Sequence, residues 1–243
     1  MTERIVAFVI DFREIPFSAE DLRELEFLRL DFVFQPILYA ESLKVVAYEA
    51  LMRPQGMSPL ELIEEYQKKD KLYVIEIATC FGATLEYRKR GYTQNICINS
   101  FPSEVLSKEQ IDMYFECFPE MEDKIIVEMV EYTELNKHNW AMKKLEIKDH
   151  GMKVALDDYS TGNNDKSAVE YFEPHYVKLD RSLISGIHLK KEMQQNIIEL
   201  VKEFHDKGIE VVAEGIEEKA ELDFLREQAK VDYVQGYYLG RPQ

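Results

Sequence analysis

The sequence predicts an α/β fold, a closed (β/α)8 barrel. Short apolar runs alternate with longer amphipathic stretches from about residue 31 to the end, the pattern of βα units around a mainly parallel sheet. Three joints repeat one device, a helix, then Gly91, Gly151 or Gly208, then a strand, and glycine after a helix is the usual left-handed stop. Roughly eight strands in this length suit a barrel better than an open sheet.

Residues 1–30 precede the pattern as an N-terminal lead-in, and residues 31–243 form the barrel domain. In the lead-in, residues 5–10 (IVAFVI) read as a strand. Ser18-Ala19-Glu20-Asp21 reads as a helix start, a serine cap followed by acids in the first turn. The strands that follow are FVFQPIL (32–38), VVAYEALM (45–52), NICIN (95–99), IIVEMV (125–130), MKVAL (152–156), HYVKLD (175–180), IEVVAE (209–214) and DYVQG (232–236). Helical stretches at 72–90, 134–149 and 189–207 separate several of them.

Composition narrows the function. The 243 residues carry a net charge of −16, with 46% hydrophobic and 31% charged residues, the make-up of a globular chain. Duplex nucleic acid and anionic membranes favour basic partners and are not expected ligands. A phosphate ligand would need positive charge from elsewhere, and bound divalent cations supply it. Three cysteines (Cys80, Cys97, Cys117) with no CxxC pair read as reduced thiols. The longest early apolar run is too short for a signal-peptide core or a membrane span, so a cytoplasmic location is expected.

The strand ends carry the chemistry. The runs end at Glu49, Asn99, Glu128, Asp157-Asp158, Glu214 and Gln235, and the sixth strand adds Lys178. A parallel barrel brings its strand C-termini to one face, where barrel enzymes place their sites. A single acid there more often caps the next helix, but six such endings with a lysine point to one cluster. Converging carboxylates repel unless cations neutralise them. Oxygen ligands suit magnesium or manganese rather than zinc, and two ions about 3.5–4 Å apart are the usual apparatus for attack on phosphorus. No GxxxxGK[ST], GxGxxG, GxSxG or HExxH motif occurs. His138, His150, His175, His188 and His205 read as structural or surface residues.

With these residues in place the chain resembles the EAL domain family, bacterial cyclic di-GMP phosphodiesterases. The motifs are Glu49-Ala50-Leu51 within YEALMR, FQPI at 34–37, INS at 98–100, LDDYSTG at 156–162, VKLD at 177–180, AEGIE at 213–217 and QGYYLGRP at 235–242. The resemblance implies a modified TIM (β/α)8 barrel with one antiparallel strand. It implies hydrolysis of cyclic di-GMP to linear pGpG with two Mg2+ or Mn2+ ions, while Ca2+ binds but supports little hydrolysis. Glu49, Asn99, Glu128 and Asp157 match ligands of the first ion, and Asp157 and Asp158 ligands of the second. Lys178 matches the lysine that contacts the attacking water; Glu214 and Gln235 match residues completing the second ion's shell and the water network. Gln35 and Arg53 resemble ligand-contacting residues, Leu51 packs on the ligand, and Glu131 holds the loop after Asp158. A homodimer is the family's usual state, and a separate regulatory protein is an expected partner.

Three positions depart from the family pattern. Its usual Glu-x-Thr-Glu has two registers here, Glu128-Met129-Val130-Glu131 and Glu131-Tyr132-Thr133-Glu134, and the first lies inside the apolar strand. Tyr159-Ser160-Thr161-Gly162-Asn163-Asn164 replaces a loop in which glycine usually stands at position 160, and the stretch after Arg53 is short. The loop departure motivates an alternative reading: a weak or inactive module that binds cyclic di-GMP or a protein partner on the same barrel.

Overall fold

In the computed structural model, residues 10–130, 136–159 and 166–243 are described. Eight strands close a barrel in sequence order: β1 Leu30–Tyr39, β2 Val45–Pro54, β3 Asn95–Ser100, β4 Ile125–Met129, β5 Lys153–Tyr159, β6 Tyr176–Leu179, β7 Glu210–Ala213 and β8 Tyr233–Val234. Strands β2 to β8 run parallel. β1 runs antiparallel to both its neighbours, with Gln35 opposite Glu49. Residues 40–44 explain the reversal: so short a link allows a hairpin, whereas a parallel return needs a crossover of a dozen residues or more.

The helices are α1 Ala19–Leu28, α2 Pro59–Lys68, α3 Leu72–Lys89, α4 Lys108–Cys117, α5 Lys137–Asp149, α6 Lys166–Phe172, α7 Arg181–Ile184, α8 Lys191–Asp206 and α9 Lys219–Phe224. Ser18 caps α1 by accepting the Asp21 amide N–H, as its sequence predicts. Gly91, Gly151 and Gly208 follow α3, α5 and α8 with φ of 70°, 62° and 74°, a region that glycine enters without a Cβ clash.

The barrel wall sorts its side chains by alternation. Outward residues such as Ile98, Leu156, Val177 and Val211 join the main core with the helices. Inward residues Ile37, Ala47, Cys97, Ile126, Ala155 and Val212 form a separate apolar tier inside the barrel. α3 is buried around most of its circumference, because the described part of the lead-in covers it: Phe17 stacks edge-on to Phe81 at 4.8 Å. α8 is two-faced, burying Ile197, Val201 and Phe204. Each such side chain removed from water stabilises the fold by about 1.5–3 kcal/mol. Among the described residues no helix is long and apolar enough to cross a membrane.

The seam that completes the barrel is narrow. β1 meets β8 only at Leu38–Val234 and Tyr39–Tyr233. Further along β1 the C-terminal residues take over: the Phe34 N–H donates to the Gln243 carbonyl at 2.9 Å, and the Gln243 N–H to the Phe34 carbonyl at 3.2 Å.

Candidate active site at the barrel mouth

One alternation step beyond the apolar tier, every strand contributes a polar residue. Ala47, Cys97, Ile126, Ala155 and Val212 give way to Glu49, Asn99, Glu128, Asp157 and Glu214, and Tyr176 and Tyr233 to Lys178 and Gln235. β1 runs the other way, so Gln35 precedes Ile37 on the same face. Adjacent pairing sets Glu49 beside Cys97 and Asn99 beside Glu128. The polar tier is therefore a direct product of register.

Lys178 stands at its centre, 1% exposed. Its Nζ lies 2.7 Å from Asp157 Oδ1, 2.8 Å from Glu214 Oε1, 3.0 Å from Glu128 Oε1 and 3.8 Å from Glu49 Oε1. Burial works against its charge, but Asp157, Glu128, Glu214 and Glu49 outweigh it and hold the ammonium firmly protonated. Glu128 is fully buried. Desolvation, reinforced by Glu49 and Asp157 against the pull of Lys178, lifts its pKa to about 8. Desolvation likewise raises Glu214 well above the usual carboxylate range. The Gln235 amide Nε2 donates to Glu49 Oε2 at 2.6 Å and fixes that carboxylate.

Asp157 and Asp158 require a break in the strand. In a regular strand neighbours point to opposite faces. Here Asp158 takes a left-handed φ of 47°, and the β5–β6 register shifts between Leu156 and Tyr159. Such a conformation costs of order 1–3 kcal/mol for a residue other than glycine. It brings oxygens of Asp157, Asp158 and Glu214 within 4.8 Å of one another, a group able to hold a cation. The donor set fits hard divalent ions: it is all oxygen, and it gathers more carboxylates than the single Lys178 can pair with.

Part of the tier opens into a cavity of about 380 Å³ whose lining includes Gln35, Glu49, Leu51, Asp158, Glu214 and Gln235; Asn99 and Glu128 do not line it, and Asn99 borders a separate cavity behind β3. Gln35 is buried and donates from Nε2 to the Gly240 carbonyl at 3.1 Å. Gly236 permits the last turn of this wall, because a Cβ there would stand 2.2 Å from the Ile216 backbone. Arg53 lies two residues beyond Leu51 at the exposed rim, its guanidinium donating to the Met52 carbonyl at 2.9 Å; it does not line the cavity. Glu131, the alternative register through Glu134 and loop positions 160–164 lie outside the described residues.

Sequence reasoning missed Arg181, Glu217 and Tyr237, which also line the cavity. Arg181 donates to Glu217 Oε2 at 2.8 Å and to the Gly215 carbonyl. Glu217 and Tyr237 lie inside the AEGIE and QGYYLGRP motifs and Arg181 directly follows VKLD, and that placement was the available signal. Three of the five histidines hold structure: His175 Nδ1 accepts the Val154 N–H, His150 stacks on Phe115, and His205 pairs with Asp232. Cys80, Cys97 and Cys117 are free thiols.

Comparison with known proteins follows the same line. The EAL domain family model matches residues 20–242. Signaling protein YkoW of Bacillus subtilis is 26% identical over 223 residues, covering 86% of this chain and 28% of its own length. The probable cyclic di-GMP phosphodiesterase PdeG of Escherichia coli is 26% identical over 225 residues, covering 86% of this chain and 44% of its own. The chain thus spans less than half the length of these relatives. Among solved structures, a standalone EAL protein from Vibrio cholerae in its c-di-GMP-bound form superposes with a TM-score of 0.78 at 27% identity, covering 88% of this chain and 92% of that one. An EAL domain protein from Listeria monocytogenes gives 0.76 at 25% identity, covering 94% of both. BlrP1 of Klebsiella pneumoniae, in a manganese and cyclic di-GMP complex, gives 0.74 at 25% identity, covering 88% of this chain and 56% of that one.

Proposed function

Because the chain belongs to the EAL domain family, we propose that it hydrolyses one phosphodiester bond of cyclic di-GMP to give linear pGpG, with water as nucleophile and two divalent ions, Mg2+ or Mn2+, as cofactors. The charge imbalance at the mouth carries this reading: Glu49, Glu128, Asp157 and Glu214 surround one ammonium, with Asp158 alongside. So many buried carboxylates around one ammonium are sustained by retained protons in the metal-free protein, and divalent cations would take the place of those protons.

Glu49, Asn99, Glu128, Asp157 and Asp158 would hold the ions, with Glu214 and Gln235 completing the second ion's shell and the water network. Bound there, divalent ions supply Lewis-acid polarisation of a phosphoryl oxygen and make water acidic enough to attack at neutral pH. Lys178 keeps its proton and offers fixed positive charge where negative charge develops. Gln235 orients Glu49 through its amide, and Glu214 also pairs with Lys178 at 2.8 Å. Gln35 and Leu51 form the wall against which the ligand packs. Arg53, at the rim, would reach a phosphate or guanine of the ligand. The reading implies a cytoplasmic homodimer, which sedimentation of the purified protein would test.

The deciding experiment incubates purified protein with cyclic di-GMP and Mg2+, Mn2+ or Ca2+ and separates products by liquid chromatography. Production of pGpG with Mg2+ or Mn2+, little with Ca2+, and none by Glu49→Ala is the expected result. Absence of turnover with both Mg2+ and Mn2+ overturns it. Binding of cyclic di-GMP without product would identify a ligand-binding module, the reading that the altered loop after Asp158 favours.

A further inference from the structure

Outside the mouth, one other cluster of buried charges stands behind the site. Glu76 on α3 and Lys143 on α5 form an ion pair, Nζ to Oε1 at 2.7 Å, with each side chain 8% exposed. The pair reaches across the outer face of the barrel wall and grips the end of β3. Ser100 Oγ donates to Glu76 Oε1 at 2.5 Å, and the Phe101 N–H donates to Glu76 Oε2 at 3.0 Å. Lys143 Nζ donates to the Phe101 carbonyl at 2.8 Å and to Ser100 Oγ. Glu76 uses both oxygens and Lys143 makes three hydrogen bonds, so the network is closed. It borders an apolar cavity of about 70 Å³ between the helices and the sheet.

A buried ion pair is a poor source of stability, because desolvation consumes most of its attraction. Hydrophobic residues would fill the space between α3, α5 and β3 at lower cost. What the pair fixes is geometry. All its partners belong to Ser100 and Phe101, the residues immediately after Asn99. Asn99 is the one amide among the proposed metal ligands, with no charge of its own to draw it toward a cation. Its neighbour Ser100 also joins β3 to β4 beyond Glu128, since the Val130 N–H donates to the Ser100 carbonyl. Asn139 of α5 holds the same loop through the Ser103 carbonyl.

We propose that Glu76, Lys143 and Ser100 are positioning residues for the metal centre: they clamp the end of β3 from behind and hold Asn99 at the barrel mouth. The inference rests on the reading of Asn99 as a metal ligand. Residues that orient a ligand from outside its coordination shell typically change metal affinity by about 10–100-fold.

Mn2+ binding to the purified 243-residue chain, measured by calorimetry without substrate, tests this. The neutral double variant Glu76→Gln/Lys143→Met avoids stranding a buried charge, and circular dichroism reports whether it folds. It should bind Mn2+ about tenfold more weakly than wild type. In an Asn99→Ala background the same double change should add little, because interactions through a shared partner are not additive. Affinity within twofold of wild type, or an equal loss with and without Asn99, overturns the proposal while leaving the site assignment intact. If Asn99→Ala itself leaves Mn2+ affinity unchanged, the assignment of Asn99 fails, and the clamp with it. Should the double variant not fold, Ser100→Ala removes the shared hydroxyl while keeping both charges, and the same outcomes decide.

Discussion

Two clusters of buried charge lie on opposite faces of one strand, and they differ in balance. On the outer face of β3, Glu76 and Lys143 match one to one, and their polar atoms are satisfied by Ser100 and Phe101. At the mouth, Glu49, Glu128, Asp157 and Glu214 share Lys178. The outer cluster is complete as folded. The inner one sets four carboxylates around one ammonium, and a fold that retains such an arrangement is set up for a ligand of positive charge.

Opposite responses to mutation would sharpen this contrast. The largest effect is expected for Glu49→Ala, which should lower pGpG formation roughly a thousandfold or more while the melting temperature of the metal-free protein stays the same or rises; a matching loss of stability would break the comparison. Lys143→Met, a single change in the balanced pair, should cost about 3–5 kcal/mol in denaturant unfolding, because it strands Glu76. Divalent cations should next separate the clusters. Mn2+ at a hundred times its dissociation constant should stabilise wild type by about 2.7 kcal/mol, an increment retained by a folded pair variant at a proportionately higher concentration and lost in Asp157→Asn.

The last contrast concerns pH. In metal-free protein Glu128 titrates at about 8 against a usual value of 4.5. The folded state therefore holds a proton that the unfolded chain has released between those values, and stability falls as pH rises through that window. Glu128→Gln should flatten this slope in thermal melts. An unchanged slope would show that desolvation of Glu128 is not its source.

Much of the barrel was legible because strands and their glycine stops are local signals. The runs ending at Glu49, Asn99, Glu128, Asp157, Glu214 and Gln235 became one polar tier because all occupy the same alternation phase. What the residues alone did not show is non-local or depends on backbone detail. The direction of β1 came from the family resemblance, although the short 40–44 link holds the physical reason. The shared reach of Asp157 and Asp158 depends on a left-handed turn at Asp158, and simple alternation would have sent them apart. Glu76 and Lys143 escaped because a charged residue within a helix reads as a solvated surface position. Only tertiary packing turns both inward.

The narrow closure between β1 and β8 has a dynamic consequence. Hydrogen-bonded backbone protects amides in proportion to the structure that must open to release them. The amides of Ala40 and Phe34, which donate to the Asp232 and Gln243 carbonyls, should therefore exchange with deuterium sooner than those in the long β1–β2 ladder. Gln35 sits beside this zone and leans on the Gly240 carbonyl, so transient fraying of the last few residues would loosen one wall of the mouth before the remainder of the barrel yields.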